Sequence, residues 1–322
     1  MSAERLSWIY GFWAGLSPYA YARLEDEVVI LPPNQVYKTN ATGARLIDYV
    51  GKGGRFEDIP GFDEVKAAEV EDFFLSLKDA YEGRTGARLG RVPYDFSFTK
   101  LPVLGEIALT YRCNNRCRFC YAGCGGEEKA TSAAGELDTE GFKRVIDAFR
   151  RDAKIPFFSF TGGEPLLRDD LEELAAYAVA SGLRVNLVSN GTLASPERAA
   201  SLYAAGLRTA QISLEAPSAA LHDELTGRQG AFNESVAGIE ALIAAGMSVQ
   251  TNSTATSLNR DALLELPAFV RALGVRRMSM NLFIPVGSGA GEQRLRLPYT
   301  LVGGFVDEAR KAALKAGVDF FW

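Results

Sequence analysis

One junction recurs along the chain from residue 180 onward. A helical, small-residue stretch ends in Gly, and an apolar β-type run follows at once. It reads Ala180-Ser181-Gly182-Leu183-Arg184-Val185, then Ala204-Ala205-Gly206-Leu207-Arg208-Thr209, then Ala244-Ala245-Gly246-Met247-Ser248-Val249. Weaker copies surround Gly274 and Gly317. Gly supplies the left-handed residue that stops a helix. The Val, Ile, Thr and Phe that follow favour a strand. The junctions are roughly 24 to 43 residues apart, room for one helix and one strand each. Strands that alternate with helices imply a parallel sheet.

The pattern predicts strands over residues 106–112, 157–161, 184–189, 209–214, 248–254 and 277–283. Asp138 is placed to cap a helix running to Arg151. Ser195-Pro196 is a cap followed by proline at the first helical position. Asn233 or Phe232 opens a helix ending near Ala245, and the last helix covers 299–316. Six βα units of this kind make a partial, open barrel. The apolar run Val318-Asp319-Phe320-Phe321-Trp322 reads like the start of one more strand.

The first hundred residues lack this rhythm. Residues 28–31 and 35–38 read as a hairpin around Pro32-Pro33-Asn34. Asn40 caps a short helix over 41–50, and 63–82 reads as a longer amphipathic helix. The expected organisation is a small α+β unit over 1–90, a linker over 91–102 and a barrel over 103–322.

Composition narrows the class. The chain has 322 residues, 47% hydrophobic and 23% charged, ordinary values for a protein with a buried core. Net charge is −5, which gives no reason to expect nucleic acid or an anionic membrane as partner. Trp8, Ile9, Tyr10, Phe12 and Trp13 make the N-terminus apolar. Glu4 and Arg5 interrupt it, and it falls short of the ~20 residues of a membrane span. It reads as an arm packed on the body of the protein, with a partner-binding surface as the alternative. No targeting segment is visible, so a cytoplasmic location is expected.

All four cysteines fall in one loop, at Cys113, Cys117, Cys120 and Cys124. A disulfide framework belongs to oxidising compartments and small secreted chains, so a metal site is favoured. The one histidine, His222, leaves little for a Ser-His-Asp hydrolase or a His-rich zinc enzyme. It reads as a surface or helix-start residue rather than a catalytic acid. The spacing C-x3-C-x2-C can hold three irons of a 4Fe–4S cube and leave the fourth open. A zinc site, or a ferredoxin-type site with Cys124 as fourth ligand, are the alternatives.

The loop Cys113-Asn114-Asn115-Arg116-Cys117-Arg118-Phe119-Cys120 resembles the signature of the radical S-adenosylmethionine (SAM) superfamily, with an aromatic residue, Phe119, before the third cysteine. The resemblance extends through about residues 106–285. It implies a partial (β/α)6 barrel with a 4Fe–4S cluster on Cys113, Cys117 and Cys120, and with SAM bound to the open iron. Reductive cleavage of SAM would give a 5′-deoxyadenosyl radical that abstracts a substrate hydrogen. An electron donor such as flavodoxin or ferredoxin is implied as a partner. Gly162-Gly163-Glu164-Pro165 is similar to the element that meets the SAM amino group. Ser189-Asn190 and Ser213-Leu214-Glu215 are similar to segments that bind its ribose and carboxylate. Ile284-Pro285 resembles the adenine shelf, and Arg228 is a candidate for the SAM carboxylate. Asn252, Thr254 and Asn259 are weaker candidates. No residue is singled out as catalytic.

Residues 35–44 followed by Leu46-Ile47-Asp48 resemble the peptide-binding, winged-helix-like domain of pyrroloquinoline-quinone-type biosynthesis, which captures leader peptides by strand addition. That resemblance implies a maturase of ribosomally made peptides with a precursor peptide as partner. A small-molecule enzyme of cofactor or tetrapyrrole synthesis, with the N-terminal unit as a cap, is the alternative. A non-enzymatic iron–sulfur carrier or scaffold is the third. Many peptide-modifying relatives continue into a Cys-rich extension, and no cysteine follows Cys124 here. Either the chain is part of a longer one or it works with a single cluster.

Overall fold

The Gly junctions do what their position demands. In the computed structural model Gly182, Gly206, Gly246, Gly274 and Gly317 all have φ between 68° and 100°, and each ends a helix or its last turn. The structure describes residues 2–17, 20–31, 35–82, 101–102, 104–125, 135–155 and 157–322. It divides into two units, Met1–Leu104 with Ala153–Ile155, and Gly105–Asp152 with Pro156–Trp322. Most of the linker expected over 91–102, and the turn at Pro32-Pro33-Asn34, lie outside the described residues.

The first unit begins with helix α1 (Ser2–Leu16). The apolar arm is therefore a helix. It buries Leu6, Ile9, Trp13 and Leu16, at helical spacing, in a core with Val29, Leu31, Ile47, Phe56, Phe74 and Leu77. An antiparallel sheet follows, in the order β1 (Tyr21–Arg23), β2 (Val28–Leu31), β3 (Gln35–Lys38). β2 is buried along its whole length, as the central strand of three. Helices α2 (Ala41–Gly51) and α3 (Glu64–Tyr81) complete the unit. Asn40 and Asp63 cap them by accepting hydrogen bonds from Gly43 N and Lys66 N. Such caps are worth about 0.5–2 kcal/mol each.

The second unit is a seven-stranded, all-parallel sheet in the spatial order β10-β9-β8-β7-β6-β5-β4. The strands are β4 (Gly105–Thr110), β5 (Phe157–Gly162), β6 (Arg184–Ser189), β7 (Thr209–Ser213), β8 (Ser248–Ala255), β9 (Arg277–Leu282) and β10 (Asp319–Phe321). Helices alternate with them: α4 (Thr139–Arg151), α5 (Leu171–Ala180), α6 (Pro196–Ala204), α7 (Ala219–Thr226), α8 (Ala231–Ala244), α9 (Leu266–Ala272) and α10 (Tyr299–Ala316). Sequential order with two unjoined edges is a partial barrel. The run after Gly317 supplies a short seventh strand beside β9.

One helix start differs from expectation. α8 opens at Ala231, after Gly230, instead of at Phe232 or Asn233. Its cap comes from another helix: the Asp223 carboxylate of α7 accepts from Gly230 N and Phe232 N. Among the described residues no helix is long and apolar enough to cross a membrane.

Candidate functional site

In a parallel βα array the loops after the strands gather on one rim. The cluster loop leaves β4 there. A register shift between Ala108 and Thr110 ends regular pairing with β5 and turns the chain out. The loop is then fastened to α7: Arg116 N donates to Thr226 O at 2.9 Å, and Arg118 N to Leu225 O at 3.0 Å. On its other side Ser288 N donates to Cys120 O at 2.9 Å. A Cβ added at Gly287 would lie 2.3 Å from Tyr121 O, so only glycine fits there.

Cys113, Cys117 and Cys120 are half-buried, whereas Cys124 is buried. Asn115 N donates to Cys113 Sγ at 3.5 Å, and Cys124 N to Cys120 Sγ at 3.4 Å. Burial pushes the Cys113 thiol up to about 11 and Cys117 well above its usual value. Cys120 is lowered to about 6, first by a hydrogen bond with the Cys124 side chain and then, against its burial, by backbone N–H groups. Phe119 packs with Leu225, Phe283 and Leu295 in a small apolar cluster under the loop.

Gly162-Gly163-Glu164 runs directly against the start of this loop. Gly163 N donates to Thr110 O at 2.7 Å, and Glu164 N to Arg112 O at 2.8 Å. An added Cβ would lie 2.1 Å from Thr110 O at Gly162 and 2.1 Å from Arg112 O at Gly163. Gly162 also has φ 137°. Both positions therefore require glycine. Both stay half-exposed, whereas Glu164 and Pro165 are buried.

The Glu164 carboxylate is a hub. Oε1 accepts from Leu166 N at 2.9 Å and from Ser189 Oγ at 2.7 Å, and Oε2 accepts from Asn190 N at 2.7 Å. Burial pushes its pKa up while these three hydrogen bonds pull it down. Asn190 extends the net to the cluster loop, since its Nδ2 donates to Asn114 Oδ1 at 2.8 Å.

Glu215, after β7, is equally buried but accepts from Thr254 N at 2.7 Å. Burial pushes its pKa up to about 8. Its own N–H donates to His222 Nδ1 at 3.1 Å. That bond places the proton of neutral His222 on Nε2, which is buried with no hydrogen-bond partner among the described residues. His222 is 1% exposed, and burial lowers its pKa to about 4. Of the expected surface or helix-start residue, the helix-start part holds, since His222 lies in the first turn of α7, and the surface part does not, since it is buried. Asn259 is a strut, with Nδ2 donating to Glu215 O and Thr254 O. Asn252 Oδ1 accepts from Ser279 Oγ and Asn281 Nδ2.

Ser213 and Pro285 are half-buried, and Ile284 is 60% exposed. Arg228 has two protein partners. Its Nε donates to Asn115 Oδ1 at 2.7 Å, and its Nη2 pairs with Glu234. Sequence reasoning passed over Asn114 and Asn115. Their signal was only their place between the first two cysteines.

The donor set suits an iron–sulfur group. Three half-exposed thiols share one loop, held by backbone contacts on both sides. Among the described residues no three His, Cys, Asp or Glu side chains converge on a point that would hold a single ion. Ligands that each bind a different iron of a cube need no such convergence.

Comparison with known proteins agrees with this chemistry. The profile of the radical SAM superfamily matches residues 107–273. The AdoMet-dependent heme synthase of Oleidesulfovibrio alaskensis is 38% identical, over 56% of this chain and 46% of its own length. The mycofactocin maturase of Mycolicibacterium smegmatis is 33% identical, over 59% of this chain and 46% of its own. The fold is similar to the crystal structure of Streptococcus suis SuiB bound to precursor peptide SuiA. The TM-score is 0.64 at 14% identity, covering 95% of this chain and 72% of that one. This chain spans about half the length of the curated relatives it matches.

Proposed function

The chain belongs to the radical SAM superfamily, whose cofactors are a 4Fe–4S cluster and SAM, and from that premise we propose that it takes a hydrogen atom from a ribosomally made peptide docked on its N-terminal unit. Cys113, Cys117 and Cys120 would hold the cluster. With one electron from a donor of the flavodoxin or ferredoxin class, the bound cofactors supply the radical that abstracts hydrogen. The chain supplies binding, orientation and exclusion of water.

Exposure sorts the SAM contacts. Gly162 and Gly163 offer half-exposed backbone, Asn190 and Ser213 polar side chains, and Ile284-Pro285 an apolar shelf. The Glu164 carboxylate holds Ser189 and Asn190 in place. A carboxylate has about four acceptor positions. Three hydrogen bonds to Glu164 leave room for one ammonium donor.

One observation carries the peptide reading. β3 pairs with β2 along one edge and ends its sheet, so among the described residues its outer edge has no strand partner. Such an edge invites strand addition. The SuiB fold, solved with a precursor peptide, spans nearly all of this chain, which supports the same use. The test is titration of the full chain with short peptides encoded beside its gene. A cognate peptide should bind with micromolar affinity, about −8 kcal/mol, and Val36→Pro on β3 should weaken it. Lack of binding by any such peptide would sink the peptide reading.

A tetrapyrrole substrate is the second reading, favoured by 38% identity to a heme synthase. It predicts that the full chain shifts the absorbance of an added porphyrin, and that Val36→Pro leaves this unchanged.

A further inference from the structure

Asn115 is the middle residue between the first two cysteines, and it is 1% exposed. Its Oδ1 accepts from Arg228 Nε at 2.7 Å. A guanidinium can only donate, so this contact fixes which end of the carboxamide is oxygen. The other end, Nδ2, is buried and has no hydrogen-bond partner among the described residues. An unpaired buried donor is costly, because it has given up water and gained nothing in return. The amide cannot escape that cost by flipping, because Arg228 would then face an N–H2 group. Arg228 is itself anchored by Glu234. The main chain of the same residue already addresses a ligand sulfur, with Asn115 N donating to Cys113 Sγ at 3.5 Å. A buried donor without a partner, in the middle of a metal-binding loop, asks for an acceptor that arrives with the metal.

We propose that Arg228 holds the Asn115 carboxamide so that its N–H2 group donates to a sulfur of the bound 4Fe–4S cluster and stabilises the reduced state. The proposal rests on the cluster reading above. Hydrogen bonds to cluster sulfurs help set the reduction potential. A donor favours the more negative, reduced cluster, so losing it makes reduction harder. Arg228 acts through Asn115 and is a positioning residue, a role distinct from the SAM carboxylate contact that its sequence position suggested.

The experiment is a redox titration of the reconstituted full chain without SAM, followed by electron paramagnetic resonance. The proteins are wild type, Asn115→Leu, Arg228→Gln and the double variant. Asn115→Leu should keep about four irons per chain. Its midpoint should be more negative, with the reduced-to-oxidised ratio at a fixed potential down about tenfold, ~59 mV for one electron. Arg228→Gln should shift it the same way, and by less once Asn115 is gone. An unchanged midpoint in iron-loaded Asn115→Leu overturns the proposal. Additive shifts also overturn it, because Arg228 would then act by charge alone. Should Asn115→Leu fail to hold iron, wild type made with side-chain 15N-asparagine carries the test. Hyperfine coupling to the reduced cluster that weakens in Arg228→Gln supports the proposal. Coupling that is absent, or indifferent to Arg228→Gln, overturns it. Wild type that takes up no iron overturns this proposal and the cluster reading together, and iron analysis separates that result from the others.

Discussion

The β5–β6 side of the rim and the β7–β8 side each bury one carboxylate completely, and they treat it differently. Glu164 receives three hydrogen bonds, from Leu166 N, Ser189 Oγ and Asn190 N. Glu215 receives one from Thr254 N, and burial pushes its pKa up to about 8. Burial sets the upward direction of the shift at both sites, and the hydrogen bonds to each carboxylate oppose it. The first side is thus a fixed frame that ties β5, β6 and the cluster loop together. On the second side the carboxylate itself is sparsely bonded, and among the described residues His222 Nε2 beside it has no partner. A rigid frame suits the cluster loop.

The largest expected effect separates the cluster loop from everything else on the rim. Alanine at Cys113, Cys117 or Cys120 should abolish the iron–sulfur absorbance of reconstituted protein. Cys124→Ala should keep about four irons per chain, because its contact to Cys120 Sγ includes a backbone N–H that alanine retains. Glu215→Gln should also keep them. Loss of iron in Cys124→Ala, with the fold intact by circular dichroism, would make Cys124 a ligand.

Next comes the frame itself. Glu164→Leu leaves three donors facing an apolar group, and each unmade bond costs about 1–3 kcal/mol. We expect at least about 3 kcal/mol lost in urea unfolding of the cluster-free protein. Glu164→Gln keeps the shape and one acceptor oxygen, so it should cost less. It should still weaken SAM binding at least about tenfold through loss of a charge-assisted bond. Glu215→Leu should destabilise by less than Glu164→Leu. The reverse order would break the comparison.

A third test uses pH. The folded pKa of Glu215 lies near 8, above its ordinary 4.5. Its contribution to stability is fully present below pH 4.5 and is lost as pH rises through 8. Cluster-free Glu215→Gln should lack that loss. The difference in unfolding free energy between variant and wild type should therefore drift in the variant's favour between pH 4.5 and 8. A flat difference would mean that Glu215 is solvated in the folded state.

The strands of the barrel were legible because each begins beside a helix-stopping Gly or a β-rich run. The segment 184–189 was read to the residue, and so was the helix 299–316. Short elements escaped. β1 has three residues, and α7 has eight with no side-chain cap at Ser218. Without the extent of α7, His222 could be read only as a surface or helix-start residue, and its burial did not show. The spacing of Cys113, Cys117 and Cys120 pointed to a cluster site at once. The hub at Glu164 did not show, because its donors come from two segments that only the sheet brings together. The contacts of Arg228 did not show either. Its partners Asn115 and Glu234 lie 113 and 6 residues away.

The smallest effect probes the sparse side from below. His222 accepts from Glu215 N and leaves its own Nε2–H unpaired, so one bond made is set against one unmade. His222→Gln keeps an acceptor that can reach Glu215 N, and should lie within about 1 kcal/mol of wild type at pH 7. Acid should separate the two. The folded pKa of His222 is lowered to about 4, below its ordinary 6.5. A buried base of this kind contributes stability that is present above pH 6.5 and lost as pH falls through 4. The glutamine variant carries no such proton, so its stability relative to wild type should rise between pH 6.5 and 4. Glu215 and His222 thus drive opposite trends from adjacent positions, one costing stability as pH climbs and the other as it drops. Urea unfolding of the cluster-free proteins at pH 7, 5.5 and 4 measures the second trend. A constant difference across those three values would mean that water reaches Nε2, and the β7–β8 side would then be open rather than dry.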